Sequence, residues 1–261
     1  MDLGINGKVA LVTASSGGLG AAIAQTLAAE GVAVAITGTN AEKLEKTASA
    51  IRAKGGKVIT LVWDLGDLAR IEPSIARVEA ELGPIDILVN NTGGPPPSPA
   101  GGQPQDIWLK HFNSMVLSVI AMTDRVLPGM KARQWGRIIT STSMGVIAPI
   151  PNLGMSNTLR ASLVGWSKTL SREVAKDGIT VNVLAPGRIN TDRVRSIDAG
   201  AAKREGRSVE EVAAASAATI PMGRYGDPQE FADVAAFLAS ARASYVTGST
   251  IRVDGGVIPN V

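Results

Sequence analysis

The 261-residue chain sets 26 Lys and Arg against 23 Asp and Glu, and its 45% hydrophobic content includes only 3% aromatics, so any core is mostly Ala, Val, Leu and Ile. With no Cys and one His, His111, it has no disulfide, no thiol nucleophile and too few ligands for a zinc centre; its net charge of +3 is scattered, which argues against nucleic acid as a partner. No export signal opens the chain and no apolar window is long enough for a bilayer, so a cytoplasmic protein without a membrane partner is expected.

Residues 9–13 are a short apolar run that leads into Ala14-Ser15-Ser16-Gly17-Gly18-Leu19-Gly20, and an Ala-rich amphipathic stretch follows to Glu30 and Gly31. That pattern predicts strand, Gly-rich turn and helix. The alternation continues with strands over 32–37, 57–63 and 85–90 and helices over 41–53 and 68–82. A helix over 106–130, a strand over 137–142, a helix over 155–176 and strands over 179–184 and 246–253 follow. Apolar strands alternating with helices predict an α/β fold: a doubly wound, mostly parallel sheet with helices on both faces, binding ligands at the carboxyl ends of its strands.

The length alone allows one domain or two. No linker or repeat interrupts the alternation, so residues 1–261 are expected to form a single dinucleotide-binding Rossmann domain. The segment 93–104, with Pro95-Pro96-Pro97, resembles a linker, but its position after the fourth strand makes it a rim loop. The region 188–225 carries helical patterns at 198–205 and 208–218 and reads either as a lid over a crevice or as a surface excursion.

A Gly-rich turn between strand and helix lets backbone N–H groups and the positive helix end approach a pyrophosphate. Glycine is also common in such turns generally, so the motif alone leaves both meanings open. Three further features stand at strand ends: Asp64-Leu65, Asn90-Asn91-Thr92-Gly93 and Pro186-Gly187-Arg188-Ile189-Asn190-Thr191. With Pro221-Met222-Gly223-Arg224-Tyr225-Gly226-Asp227-Pro228-Gln229-Glu230, Tyr245-Val246-Thr247-Gly248-Ser249 and Val253-Asp254-Gly255-Gly256, they make the whole chain resemble the short-chain dehydrogenase/reductase family, nearest its 3-oxoacyl-acyl-carrier-protein reductases.

The resemblance implies a cofactor site of Ser15, Gly18, Leu19, Gly20, Thr39, Asp64, Leu65, Asn91, Gly93, Pro186, Gly187, Ile189 and Thr191. Within it, Gly18 and Gly20 would lie on the pyrophosphate, Asp64 and Leu65 on the adenine, and Ile189 and Thr191 on the nicotinamide carboxamide. Where the family pattern begins its turn with Gly, this chain has Ala14; the exchange is costly only if that position needs a positive φ. At the end of the second strand, Thr37-Gly38-Thr39-Asn40 offers no acid for the ribose of NAD, and only Lys43 is near to welcome the 2′-phosphate of NADP, so the cofactor expected is NADP or NAD with a lean to NADP.

Family reductases deliver a proton from a Tyr assisted by a Lys four residues later, with a Ser on the substrate oxygen and an Asn in a proton relay. The alignment implied by the resemblance puts Ser143 and Asn113 on the Ser and Asn positions, but Ser156 on the Tyr and Arg160 on the Lys. Residues four apart share a helical face, so Ser156 and Arg160 are expected to point together into the crevice. The chemistry is altered: a phenol ionises near 10, an aliphatic hydroxyl is far less acidic, and Arg keeps its proton near neutrality while remaining a forked donor to ribose or an anion. The two tyrosines, Tyr225 and Tyr245, fall in segments that the resemblance assigns away from the nicotinamide. His111 is read as a relay or a packing residue, Asn113 as a relay or a helix kink, and Ser141 and Ser143 as substrate-orienting or capping groups.

Three functions follow as alternatives: an NAD(P)-dependent oxidoreductase with a rearranged proton donor acting on a small carbonyl or alcohol, a noncatalytic protein binding a dinucleotide or another anionic ligand, and a structural partner subunit. The resemblance also implies a homo-oligomer, dimer or tetramer, packed through the helices at 106–130 and 155–176.

Overall fold

The computed structural model describes residues 1–260 of the chain. Its apolar runs become the strands β1 (Val9–Val12), β2 (Ala33–Gly38), β3 (Val58–Val62), β4 (Ile87–Asn90), β5 (Gly136–Ser141), β6 (Ile179–Pro186) and β7 (Thr250–Val253), buried on both faces at the centre of the sheet and part-exposed at its two edges, β3 and β7. They form one sheet in the order β3-β2-β1-β4-β5-β6-β7, and every neighbouring pair is parallel. The strand order reverses between β1 and β4, which opens the crevice where open α/β sheets take their ligands.

Strand side chains alternate between two cores, as a period of two requires. Ala10, Val12, Ile87 and Val89 face α1 (Gly18–Ala29), α2 (Ala41–Arg52) and α9 (Pro228–Ala239); Val9, Leu11 and Leu88 face α3 (Ile71–Glu81), α5 (Ser118–Ala132) and α6 (Gly154–Val174). A third cluster joins Met115, Val116 and Val119 to Met155, Leu159 and Leu163 of α6 and fixes the outer side of the crevice. The methionines at 115, 122, 130 and 155 are buried core fillers.

The structure departs from the sequence reading at four places. The helix expected over 106–130 is α4 (Gln105–Phe112), a wide π turn at Asn113–Leu117, and α5. The strand expected over 246–253 shrinks to β7, because Gly248 adopts φ +69 and ends the extended backbone. The first helix of the 188–225 region begins earlier than its apolar pattern, as α7 (Asp192–Glu205) capped by Thr191 Oγ1, which accepts from Val194 N, and it stops at Gly206 with φ +64. The second, α8 (Val209–Ala218), falls where its pattern predicts and is held by a capping box between Ser208 and Glu211.

Helix α9 was not anticipated at all, although its start carries a readable signal. Asp227 caps it, Pro228 occupies its first turn, and Glu230 completes a capping box. The helix seats Phe231, which is fully buried, against α1.

Candidate active-site crevice

Thr13 and the turn after β1 are fastened from two sides. Ser15 N donates to Thr37 O (2.7 Å), Thr37 N donates to Ser15 Oγ (3.0 Å), and Ser15 Oγ donates to Val12 O (2.6 Å). From β4, Asn91 Nδ2 donates to Thr13 O (3.3 Å) and Ala14 O (3.1 Å), while Thr13 Oγ1 donates to Asn91 O (2.7 Å). Held this way, Ala14 takes φ +44, so the position does need a left-handed conformation and the alanine pays a strain that glycine would not. Gly20 has no room for a side chain: a Cβ there would lie 2.6 Å from Ala14 O and 2.9 Å from Asn91 Nδ2.

The turn ends in Gly17, which caps α1 without any side-chain hydrogen bond, and nothing stands within 4 Å of where a Gly17 side chain would begin. The first-turn N–H groups of α1 are therefore open to an anion. Across the crevice stands Thr191, whose Cγ2 lies 3.6 Å from the Cβ position of Gly18.

A crevice of about 710 Å³ runs from this turn past the ends of β4, β5 and β6. Of the cofactor residues named from the sequence, Gly18, Leu19, Asn91, Gly93, Pro186, Gly187, Ile189 and Thr191 line it. Ser15, Gly20, Thr39, Asp64 and Leu65 do not. Ser15 is buried in the turn itself and Gly20 in the first turn of α1; Thr39 is exposed beyond β2, Asp64 is exposed beyond β3 with Oδ1 accepting from Gly66 N (2.9 Å), and Leu65 is buried beside it. The ends of β2 and β3 lie towards one edge of the sheet, away from the reversal between β1 and β4.

Ser143, Ser156 and Arg160 share the opposite wall of the crevice. Ser156 sits in the first turn of α6 and Arg160 one turn later, the shared face that their spacing predicts. Ser143 Oγ accepts from Gly145 N (3.0 Å) and caps a short turn, which leaves its proton free. Arg160 is 9% exposed and donates to Gly93 O (2.9 Å), Ser141 O (3.3 Å) and Thr92 O (3.5 Å). Burial, and then the neighbouring Arg193 cation, lower its pKa to about 10, so it is still charged near neutrality.

The other candidates lie apart. Asn113 is half-buried in the π turn and does not line the crevice; nor does His111, in the last turn of α4, whose pKa is lowered by burial and by Lys110. Tyr225 donates its hydroxyl to Asp198 Oδ2 (2.8 Å), Arg188 pairs with the other oxygen of Asp198 (2.5 Å), and burial above all raises the phenol's pKa. Tyr245 is fully exposed. Neither tyrosine lines the crevice. Sequence reasoning missed Arg193 and Thr92, which do line it; the signal for Arg193 was its place two residues past Thr191. Among the described residues no group of His, Asp and Glu is placed to hold a metal ion, and no helix is long and apolar enough to cross a membrane.

Known proteins share this architecture. Residues 13–258 match the family described as Enoyl-(Acyl carrier protein) reductase. The chain is 39% identical over 257 residues to 3-oxoacyl-[acyl-carrier-protein] reductase FabG of Salmonella typhimurium, covering 98% of this chain and 99% of that protein. This chain belongs to the short-chain dehydrogenase/reductase family. Within the family it is also 35% identical to Nodulation protein G of Azospirillum brasilense, over 96% of this chain and 98% of the other. Two solved structures agree: L-sorbose reductase from Gluconobacter frateurii complexed with NADPH and L-sorbose (TM-score 0.95, 32% identity, all of both chains) and YwfH, an NADPH dependent reductase involved in bacilysin biosynthesis (TM-score 0.92, 32% identity, 97% of this chain and 99% of the other).

Proposed function

We propose that the chain is an NADP(H)-binding oxidoreductase, resembling 3-oxoacyl-acyl-carrier-protein reductase, in which Ser156 and Arg160 occupy the positions of the family's catalytic Tyr and Lys. The carrying observation is the crevice at the sheet reversal, with the uncapped start of α1 at one end and the Ser156–Arg160 face on its wall. The residues present fit a dinucleotide. Gly17 and Gly18 hold the pyrophosphate on free N–H groups, Asn91 and Gly93 support the adenosine side, and Ile189 and Thr191 meet the carboxamide. Lys43, in the lining, and the lack of an acid in Thr37-Gly38-Thr39-Asn40 at the end of β2 favour NADP, as do the NADPH-linked relatives.

The reduced cofactor, when bound, supplies hydride to a carbonyl carbon. Ser143 hydrogen-bonds the substrate oxygen through its free hydroxyl, keeps its own proton, and so orients the carbonyl. Ser156 is too weak an acid, and Arg160 too strong a base, to pass a proton at neutral pH. Water held by Ser143, Ser156 and Arg160 therefore supplies the one proton to the product oxygen, and the hydroxide left is neutralised by bulk water through the open crevice, at a cost of the order of 10²–10⁴ in rate compared with a positioned acid. Val194, Ile197 and Ala201 of α7 line the crevice, which supports the region 188–225 as its lid. The same family reading makes the protein a dimer or tetramer, and Leu109 and Phe112 of α4 are exposed on the helices that would pair.

A second reading, noncatalytic binding of a dinucleotide or another anion, is favoured by one observation: Arg160 is drawn onto three backbone carbonyls and Ser143 onto a cap. Titration with NADPH and NADH, followed by a screen of carbonyl compounds for NADPH oxidation, separates the two. Binding with turnover supports the oxidoreductase; binding without turnover supports the second reading; no binding removes both dinucleotide readings.

A further inference from the structure

The crevice wall is unevenly charged. Lys43, Arg160, Arg188, Arg193 and Arg204 line it, against the single acid Asp192. Arg188 is neutralised by Asp198 (2.5 Å) and Asp192 by Arg195 (2.6 Å). Among the described residues no carboxylate lies within 4.0 Å of Arg160, Arg193 or Arg204, and the charge felt by Arg160 is the like charge of Arg193.

Arg160 and Arg193 converge on one spot. Arg193 reaches over from α7 and donates to Pro95 O (2.7 Å) and Gly94 O (3.4 Å), while Arg160 reaches up from α6. A Cβ built on Gly94 would lie 3.3 Å from Arg193 Nη2 and 3.4 Å from Arg160 Nη2, so the face of Gly94 that lacks a side chain is within reach of both cations. Beside it, Thr92 lines the crevice with a buried Oγ1 that has no hydrogen-bond partner. Carbonyl oxygens satisfy the N–H groups of the two arginines but leave their net charge in place, and two like charges held this close destabilise one another unless an anion joins them. A dinucleotide does not supply that anion, because its phosphates belong at the start of α1 and its reduced nicotinamide is uncharged.

We infer that the compound taken into this crevice beside the cofactor is a small carbonyl compound bearing a carboxylate, which lies against Gly94 and is clamped between Arg160 and Arg193. This rests on the oxidoreductase reading for the cofactor's position. The planar guanidinium fork matches a carboxylate in a bidentate pair, and the hydroxyl of Thr92 adds a third donor.

The test compares 2-oxobutanoate, acetoacetate and 4-oxopentanoate with their methyl esters, by calorimetric titration into the full-length protein with and without saturating NADPH. At least one acid should bind tenfold or more tightly than its ester. Arg193→Gln, at an exposed position whose loss leaves the core untouched, should remove that preference, and Gly94→Ala should weaken it by filling the spot. Added salt should lower the affinity of the acid and spare the ester. Equal binding of acid and ester, binding of neither, or a preference that survives Arg193→Gln overturns the inference. Failure of NADPH to bind defeats the oxidoreductase reading instead, and the cofactor-free titrations still decide whether the carboxylate clamp exists.

Discussion

A buried arginine meets each end of strand β5, Arg137 from the strand itself and Arg160 from α6, and the two environments differ in an instructive way. At its start, Arg137 is 2% exposed, stacks 4.4 Å from the Trp135 ring centre, and donates to Gly136 O (2.8 Å), Ser240 O (3.0 Å) and Gly178 O (3.2 Å). At its end, Arg160 also donates to three carbonyls, including that of Ser141, but with no aromatic face, a second guanidinium nearby and an open crevice in front. Burial lowers the pKa of both. Carbonyl contacts alone therefore do not mark a functional cation. Access to a crevice and an unneutralised like-charged neighbour do.

The comparison is sharpened most by placing, at one end only, the Tyr and Lys that the proposed reading assigns to positions 156 and 160. Ser156→Tyr with Arg160→Lys should raise NADPH-dependent reduction of a 3-oxoacyl compound or diketone by roughly 10²-fold or more, read as NADPH absorbance. No gain would mean that more than the proton-donating pair is missing. Replacing each arginine then tests the contrast directly. Arg137→Ala strands three buried carbonyls and should cost about 3 kcal/mol, a fall in Tm of roughly 6–12 °C, while NADPH affinity holds. Arg160→Ala should move Tm less than half as far, because water from the crevice reaches its carbonyls, yet weaken NADPH binding about tenfold. Unchanged NADPH affinity in Arg160→Ala would take that residue out of the cofactor site.

Smaller effects probe the ground around these sites. Ala14→Gly should release the strain of φ +44 and stabilise the protein by about 1 kcal/mol, or roughly 2–4 °C in Tm, without changing the turn. At the surface, Arg224 pairs with Glu230, and this hydrogen-bonded ion pair, helped by Asp227 N–H, lowers the Glu230 carboxyl from 4.5 to about 2. Because the folded form binds protons less readily, the pair stabilises fully above pH 4.5 and its contribution fades as the pH falls towards 2. Arg224→Ala should therefore lower stability by a small, constant amount above about pH 4.5, and the difference from the parent should close as the pH falls towards 2, measured by denaturant unfolding followed by circular dichroism.

The candidate site was legible in uneven measure. Spacing put Ser156 and Arg160 on one face, and both line the crevice, because a helix of regular pitch leaves no choice. Asn113 falls outside that logic: a π turn interrupts the helix at the residue read from the sequence as a relay or a helix kink, and regular spacing no longer says which way its side chain faces. Ala14 could be named as a departure from its motif but not priced, since its φ is imposed by Asn91 and Thr37, residues 77 and 23 positions away that bond its carbonyl and its N–H. Arg193 had a neighbouring signal in Thr191 but no readable role, for a related reason. Its meaning comes from the rim carbonyls of Gly94 and Pro95, nearly a hundred residues earlier in the chain.

By itself the sequence determined the alternation of strand and helix, the parallel sheet, the Gly-rich turn after β1 and the hydroxyl and cation spaced four apart on α6. These are local patterns of apolar period, capping and backbone freedom, and a chain carries them before it folds. Only the tertiary structure decided that Ala14 is strained, that Asp64 and Thr39 stand off the crevice, and that two arginines from separate helices meet over one glycine. Each of those depends on distances between segments far apart in the chain, which packing sets and periodicity does not encode.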